Sequence, residues 1–437
     1  MKQGVSVNIR GRSVRLRGLR RPTTGPTIRW PRWLLILGPG LIASSAGNDA
    51  GGIATYSSAG AKYGYSLIWV MIVITFALAV VQETCARLGA ATGRGLLDLI
   101  RERFGIGWAM FAVSVILIAN GSLVMTEFVG IGAAAELFGV SKFIAAPIAA
   151  ALIWYLVIFG NYSKVERIFL AMTTVFFAYP IAAILGRPDW GAVARGAVIP
   201  TFRSDPAYFL FLVSLIGTTI TPYMQIFQQS STVERGAARR HYGPERTDAY
   251  AGAIFSNLMA IAMIIATAAT LHVAGRTDIA TAADAARALE PVAGKASEEL
   301  FGVGLLGASL LAAAVLPLAT SYATCETFGF AKGVSLNYRH ARSFFTLFTG
   351  LVVAGALAAL IHNLPVIKLL VAVQALNGTL LPVILFFIMR LINDERLTGP
   401  LKNTTTYNLL GWGTFALVTA AVAMMLGTQL LKMLAGP

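Results

Sequence analysis

The sequence predicts an all-α membrane protein of eleven transmembrane helices, arranged as two inverted repeats of five helices (5+5) and one further helix. The first observation is the composition: 56% of the residues are hydrophobic and 13% are charged, about half the charged fraction of a soluble protein. The second is that apolar runs long enough to cross about 30 Å of hydrocarbon recur along the chain. The third is that the first and sixth of these runs are broken by glycine, proline and polar residues.

The apolar runs define the predicted organisation of the chain. The eleven spans are placed near residues 33–61, 65–90, 107–138, 143–161, 164–186, 206–231, 249–274, 300–331, 343–361, 366–391 and 405–432. The predicted domains are a basic tail at 1–32, a first five-helix repeat at 33–190, a second repeat at 205–391, and the eleventh helix with the C-terminus at 404–437.

The charges outside the spans predict the orientation in the membrane. The tail contains several Lys and Arg residues and no acid, and the loops on the same predicted side are richer in cations than the other loops. The positive-inside rule then places the N-terminus in the cytoplasm, and an odd number of spans places the C-terminus outside. The tail is also suited to contact anionic lipid. A cleaved targeting peptide is the alternative interpretation, and binding to nucleic acid is not expected.

Cysteine, histidine and catalytic motifs narrow the function classes. Cys85 and Cys325 lie near predicted span ends without CxxC spacing, so neither a disulfide framework nor a zinc site is expected. All four histidines lie at span ends or in loops, which argues against a His-based metal site; they are His241, His272, His340 and His362. The sequence contains no protease-like aspartate pair, HExxH motif or Ser–His arrangement, so we expect neither an enzyme nor a cofactor.

The first broken run reads GPGLIASSAGNDAGGIATYSSAG, with Gly47, Gly51 and Gly52 around a central Asp49. A carboxylate near the bilayer centre costs about 2.5–3.5 kcal/mol, so we expect a cation to meet it there. Backbone carbonyls freed by the break would add neutral oxygen ligands. The alternative is an Asx-turn, in which Asp49 caps a half-helix that begins near Ile53.

The second broken run reads LIGTTITPYMQIFQQSS, in which Gly217, Thr218, Thr221 and Pro222 interrupt the apolar pattern. Glycine and proline in mid-span free carbonyls that lipid cannot satisfy, so such breaks occur where they line a cavity or pack against protein. Two broken helices in corresponding positions of two halves are typical of an inverted-repeat secondary transporter, whose site lies near the bilayer midplane.

Three further polar residues within spans are candidates for the site. Gln374 and Asn377 lie about one helical turn apart in the tenth span. Their amides are either ligands or interhelical hydrogen-bonding groups; the two interpretations are balanced for Asn377, and hydrogen bonding is favoured for Gln374. Glu127 lies deep in the third span without a cationic neighbour in the sequence, and it is a candidate for a proton or ion path.

The first two spans resemble those of the natural-resistance-associated macrophage protein (NRAMP) metal-ion transporters. The stretches that carry the resemblance are GPGLIASSAGNDAGGIAT, AGAKYGYSLIWV and QETCARLGAATGRGL, and the break in the sixth span also matches. The resemblance covers nearly the whole chain and implies a LeuT-like fold. The sequence departs from the family's first-helix motif, Asp-Pro-Gly-Asn, which reads Asp49-Ala50-Gly51-Gly52 here, so the Asp ligand is kept and the Asn ligand is lost.

The sixth and third helices also depart from the family pattern. The motif Met-Pro-His reads Thr221-Pro222-Tyr223, so the thioether ligand and the neighbouring His are absent. The third helix keeps Glu127 but carries Val124 where an Asp is expected. These changes resemble the branch of NRAMP-related magnesium transporters (NRMT), which implies uptake of Mg²⁺ and Mn²⁺ with weak or no proton coupling.

The chemistry of the substitutions agrees with that resemblance. Loss of a soft thioether leaves hard oxygen donors, and replacing Met by Thr and Asn by Gly is expected to enlarge the site for a partly hydrated Mg²⁺. Asp49 is the expected central ligand. The residues expected to supply carbonyls or to line the pocket with it are Ala46, Thr218, Thr221, Tyr223 and Asn377.

The leading hypothesis is a monomeric transporter of divalent metal ions, most of all Mg²⁺ and also Mn²⁺, which works in a lipid bilayer by alternating access. A proton-coupled Mn²⁺/Fe²⁺ transporter and an APC-type transporter of an organic cation are the alternatives. An anionic substrate is not expected, because Asp49 would repel it. The short loops favour a bacterial inner membrane.

Overall fold

The computed structural model of the chain describes residues 6–9, 12–15, 47–159, 177–203, 205–236, 242–290, 294, 297–334, 336, 338–362 and 364–434. The chain divides into two compact units, Met1–Ile36 and Leu37–Pro437. In the first unit the described residues form a hairpin of two strands, β1 (Ser6–Ile9) and β2 (Arg12–Arg15). The strands are antiparallel, with Ser6 opposite Arg15 and Ile9 opposite Arg12.

The described residues of the second unit form helices joined by short connections. The helices are α1 (Ala50–Tyr63), α2 (Ile68–Thr92), α3 (Leu96–Phe104), α4 (Ile106–Leu137), α5 (Lys142–Phe159), α6 (Ala178–Leu185), α7 (Trp190–Val198), α8 (Pro206–Thr219), α9 (Pro222–Glu234), α10 (Tyr242–Thr267), α11 (Ala282–Ala286), α12 (Ser297–Phe328), α13 (Arg342–Ala359), α14 (Val366–Ile392), α15 (Glu395–Thr398) and α16 (Thr405–Leu434). A π-helical turn, Ala268–His272, continues α10, and short 3-10 helices occupy Arg287–Leu289 and Gly399–Leu401.

Nine segments within the described ranges are long and apolar enough to cross a membrane. They are α2, α4, α5, the α8–α9 pair, α10 with its π turn, α12, α13, α14 and α16. Each lies at one of the predicted spans, which are the second to the fourth and the sixth to the eleventh. The predicted first and fifth spans lie partly outside the described residues, which contain α1 and α6 from them.

Burial separates helices that face lipid from helices in the centre. In the most apolar window of each segment, 89% of residues are buried for Pro206–Glu234, against 22% for Lys142–Phe159 and 33% for Thr405–Leu434. The helices α5 and α16 therefore expose apolar side chains, as expected of helices that contact lipid. The polar α8–α9 segment is instead surrounded by protein, so its interruption is not exposed to hydrocarbon.

The helices α8 and α14 cross at a pair of glycines. A Cβ on Gly217 would lie 2.0 Å from the carbonyl oxygen of Gln374, and a Cβ on Gly378 would lie 2.4 Å from the carbonyl oxygen of Val213. Small residues at such a crossing allow two backbones to approach closely and gain dispersion contacts. This contact places the α14 turn that carries Gln374 beside the last turn of α8.

Candidate metal site

Asp49 lies at the start of α1 and is completely buried. It is the N-cap residue, and its Oδ1 accepts a hydrogen bond of 2.5 Å from the backbone N–H of Gly52. The helix therefore begins at Ala50, three residues before the predicted start near Ile53, because a capping Asp satisfies an N–H that the first turn leaves free. The capping interpretation is therefore confirmed, and the cap leaves Oδ2 unused.

The glycines after Asp49 serve close packing rather than the break, which corrects the sequence interpretation. Gly51 and Gly52 lie in the first turn of α1, whereas Gly47 lies in the non-helical turn before it. A Cβ on Gly51 would lie 2.2 Å from Nε2 of Gln374, and one on Gly52 would lie 2.6 Å from the carbonyl oxygen of Gly47. The atoms nearest to the Gly52 position are the Gly47 carbonyl oxygen, the Thr218 Oγ1 and the Asp49 Oδ1, so this glycine allows the three groups to lie close together.

The amide of Gln374 lies against the Asp49 carboxylate. Its Nε2 donates to Oδ1 at 3.1 Å and to Oδ2 at 3.4 Å. The sequence interpretation gave Gln374 an interhelical hydrogen bond, and the structure places that bond at the centre of the candidate site. The two residues are separated by 325 positions, so no local pattern links them. The only signal was the occurrence of two amides on consecutive turns of one apolar span.

Glu127 of α4 reaches the same helix start. Its Oε2 accepts a hydrogen bond of 3.2 Å from the N–H of Ala50, while no protein donor within the described ranges reaches Oε1. Two buried carboxylates therefore flank the N-terminus of α1, whose partial positive charge favours both. In the part of the chain that the structure describes, neither carboxylate has an ion-pair partner of 4.0 Å or less.

The interruption between α8 and α9 supplies oxygen atoms. Thr218 donates from Oγ1 to the carbonyl oxygen of Gly47 at 3.3 Å. The carbonyl of Thr218 would receive a helical hydrogen bond from residue 222, but Pro222 has no N–H, so this carbonyl is freed. Pro222 instead takes the first position of α9, where a missing N–H costs nothing. Ile220 and Thr221 connect the two helices.

Three predicted lining residues are buried with polar atoms that lack a protein partner in the described ranges. They are Thr221 with Oγ1, Tyr223 with its hydroxyl, and Asn377 with both amide atoms. Buried polar atoms are almost always satisfied by protein, water or an ion. These oxygens are therefore available to an ion or to its waters.

Two further observations complete the donor set. Ala46, the predicted carbonyl ligand, lies outside the described residues. Within those residues there is no group of three or more His, Cys, Asp or Glu side chains suited to a metal ion.

Known proteins of similar sequence are transport proteins. The chain is 29% identical over 415 residues to a divalent metal cation transporter MntH from Ralstonia nicotianae, covering 90% of both chains. It is 28% identical over 396 residues to the MntH of Klebsiella pneumoniae, covering 89% of this chain and 92% of that protein.

Solved structures of similar fold include a manganese transporter and MhsT. The manganese transporter of Eremococcus coleocola, in complex with an aromatic bis-isothiourea substituted compound, has a TM-score of 0.71 at 17% identity over 92% of this chain and 90% of that chain. MhsT in complex with L-phenylalanine has a TM-score of 0.60 at 13% identity over 89% of this chain and 98% of that chain. At these identities the likeness shows the fold, and it confirms the prediction of a helical transporter fold of LeuT-like type.

The family model described as natural resistance-associated macrophage protein-like matches residues 40–428. That range contains every helix from α1 to α14 and most of α16, and it includes the Asp49 site. The predictions of a multi-pass membrane protein and of a transporter family are thereby confirmed. The chain belongs to the natural resistance-associated macrophage protein-like family.

Proposed function

We propose that this protein transports divalent metal cations across a membrane, with Mg²⁺ as the preferred ion and Mn²⁺ also accepted, and with weak or no coupling to protons. The observation that carries the proposal is the pair of buried carboxylates, Asp49 and Glu127, without a cationic protein partner among the described residues. Buried carboxylates are costly when they are unpaired. A divalent cation from solution supplies the missing charge.

The donor set supports the choice of ion. The side chains at the site offer oxygen and amide groups from Asp49, Thr221, Tyr223 and Asn377. Thioether and imidazole ligands favour transition metals, whereas oxygen ligands suit Mg²⁺ and Mn²⁺. The proposed preference for Mg²⁺ is therefore supported by the type of donor. The relatives named as divalent metal cation transporters, and the Eremococcus protein named as a manganese transporter, support Mn²⁺ as a second substrate.

The proposed mechanism is alternating access around a fixed site. Eleven helices form two inverted five-helix repeats at 33–190 and 205–391, with the eleventh helix at 404–437, and the first and sixth helices are broken. The separation of α8 and α9 at Ile220 and Thr221 supports the second break. The site connects the two repeats, because Asp49 of α1 contacts Gln374 of α14, and Gly47 contacts Thr218 of α8. We further propose a monomer in a bacterial inner membrane with a cytoplasmic N-terminus.

Two other substrates compete with this proposal. Proton-coupled transport of Mn²⁺ or Fe²⁺ is favoured by the buried Glu127, which could carry a proton next to Asp49. Weak coupling to protons is favoured by two departures from the family pattern. Tyr223 stands where the family has His, and Val124 stands where the family has Asp. An organic cation would also suit Asp49, because its positive charge would meet the buried carboxylate. Binding of an amino acid carboxylate at Asp49 would place two like charges together.

The test is ion flux in liposomes that contain the purified full chain. A fluorescent indicator reports Mg²⁺ entry, and a second dye reports the internal pH. We expect Mg²⁺ entry without acidification, and loss of entry in Asp49→Asn. That substitution keeps an oxygen for the Gly52 N–H, removes the charge, and replaces the second carboxylate oxygen with an NH₂ group. The matched control is Asp189→Asn, which removes a charge from the exposed N-cap of α7 and is expected to leave flux unchanged.

Three outcomes would contradict the proposal. Flux through Asp49→Asn equal to that of wild type would remove the carboxylate from the mechanism. Mg²⁺ entry accompanied by acidification would support a proton-coupled transporter, and Glu127→Gln would then be the next variant. No Mg²⁺ entry, with Mn²⁺ entry intact, would assign the protein to transition metals.

A further inference from the structure

A second polar cavity lies far from Asp49 in the sequence and among different helices. Its volume is about 690 Å³, and its walls include Arg103, Arg390, Asn393, Asp394, Asn408 and Trp412. It lies where α14 ends, where α16 begins, and where α3 turns into α4. Since α4, α14 and α16 are membrane-crossing helices, their common ends place the cavity at the level of the lipid headgroups.

The cavity presents positive charge that the protein does not neutralise. Arg390 is exposed, and it forms no ion pair with any residue that the structure describes. The two acids on the wall are engaged. Asp394 forms an ion pair with Arg103, with Oδ2 2.5 Å from Nε, and its Oδ1 accepts a hydrogen bond of 3.0 Å from the Arg396 backbone N–H. Glu395 pairs with Lys402 at 3.3 Å.

The contact with Asp394 also orients Arg103. Among the described residues, the ion pair with Asp394 is formed through Nε, and no acceptor for the terminal N–H groups of Arg103 is found there. The side chain of Asn408 is also held by its neighbours. Its Oδ1 accepts hydrogen bonds from the side-chain amides of Asn393 at 2.7 Å and Asn403 at 3.1 Å. Its Nδ2 therefore keeps two donors. Two guanidinium groups and an amide donor form a set suited to the oxygen atoms of a phosphate.

The surroundings of the cavity are apolar and aromatic. Trp412 packs against Phe386 with ring centroids 6.3 Å apart, and Phe104 packs against Phe387 at 5.4 Å. Aromatic rings of this kind are enriched where a protein crosses the membrane–water interface. Leu409, at the start of α16, is 74% exposed. A ligand with a phosphate alone would leave these surfaces unused, whereas a phospholipid would cover them with its chains.

We propose that this cavity is a binding site for an anionic phospholipid, whose phosphate headgroup contacts Arg390 and Arg103 while its acyl chains lie along α14 and α16. Basic pockets between membrane helices bind anionic headgroups by the same charge complementarity. The lipid would join α3, α14 and α16 at one end of the bundle. This inference does not depend on the identity of the transported ion.

Purified full chain in a neutral detergent provides the test. Bound lipid is counted by native mass spectrometry, and the thermal midpoint is measured after addition of dioleoylphosphatidylglycerol, dioleoylphosphatidylcholine or sodium phosphate. We expect retention of phosphatidylglycerol and a raised midpoint with that lipid alone. Arg390→Gln should weaken phosphatidylglycerol binding about tenfold, the loss expected from one charge-assisted contact. Arg396→Gln, which removes a nearby arginine that does not line the cavity, should bind like wild type.

The results that would overturn the proposal are distinct. Equal binding of the two phospholipids by wild type would exclude recognition of the anionic headgroup. A midpoint raised as much by sodium phosphate would identify a free anion as the ligand. Unchanged binding by a folded Arg390→Gln would exclude this cavity. If Arg390→Gln does not fold, the proposal is tested by comparing the binding of phosphatidylglycerol and phosphatidylcholine to the wild-type protein.

Discussion

Replacing Gly217 with alanine tests whether the crossing of α8 and α14 holds the site together. The added Cβ would lie 2.0 Å from the Gln374 carbonyl oxygen, 2.5 Å from the Gly378 nitrogen and 2.9 Å from the Gly378 Cα. Ordinary contact begins at 3.4 Å, so the backbones must separate by 1.4 Å, which is 3.4 minus 2.0. Neither neighbour is a flexible side-chain end that could rotate away.

The expected cost of Gly217→Ala is about 1–3 kcal/mol, the range for overpacking a well-packed interior. Such a loss corresponds to a fall of roughly 5 °C in the thermal midpoint. Because the displaced carbonyl belongs to Gln374, the amide at Asp49 should move as well, and Mg²⁺ flux should fall with stability. The assays are thermal unfolding in detergent and flux in liposomes.

A glycine-to-alanine change elsewhere provides the matched control. Gly350 in α13 is exposed, and a Cβ there meets no atom within 4 Å. Gly350→Ala should therefore be neutral or slightly stabilising, since alanine favours helix by about 1 kcal/mol over glycine. If Gly217→Ala unfolds at the same temperature as Gly350→Ala and keeps full flux, the close crossing is not needed and the reasoning from these contacts is refuted.

Two further substitutions test the site itself. Gln374→Glu removes the donor to Asp49 and adds a like charge, so stability without metal should fall by at least about 1–3 kcal/mol, and Mg²⁺ should restore more of the thermal midpoint than it adds to wild type. An unchanged midpoint in metal-free buffer would remove Gln374 from the site. Thr221→Met adds a soft ligand, so the ratio of Cd²⁺ to Mg²⁺ uptake should rise about tenfold, equivalent to about 1.4 kcal/mol. Thr419→Met, on the exposed face of α16, is its control, and equal ratios in the two variants would contradict the ligand role of position 221.

The sequence was sufficient to predict the elements whose signal is local. Apolar runs of 18 residues or more identify membrane helices by length alone, and the nine crossing segments follow the predicted spans within a few residues. The site role of Asp49 stays a prediction, which was made because a carboxylate in an apolar run is costly without a partner. Pro222 was predicted to end a helix because its ring removes an N–H.

The remaining features depend on contacts between distant parts of the chain. Gly51 and Gly52 suggested a broken helix, but their small size is required by Gln374 and by the carbonyl of Gly47. An amide side chain in the middle of a span looks the same in the sequence whether it forms a hydrogen bond to a neighbouring helix or to the Asp49 carboxylate. The sequence therefore could not separate the two roles for Gln374. The short helices α3, α7 and α11 were not predicted, because fewer than ten residues give little periodic signal.

The contact between Gln374 and Asp49 has a consequence for the strength of ion binding. An arriving cation does not meet a bare carboxylate, since the amide and the N–H of Gly52 already stabilise its charge. At the proposed site, the free energy of ion binding is then that of an exchange, equal to the gain from the ion minus the loss of these hydrogen bonds. Such an exchange lowers affinity without removing charge selectivity. The same exchange favours release of the ion, because the Gln374 amide can form its hydrogen bonds to the Asp49 carboxylate again as the cation leaves.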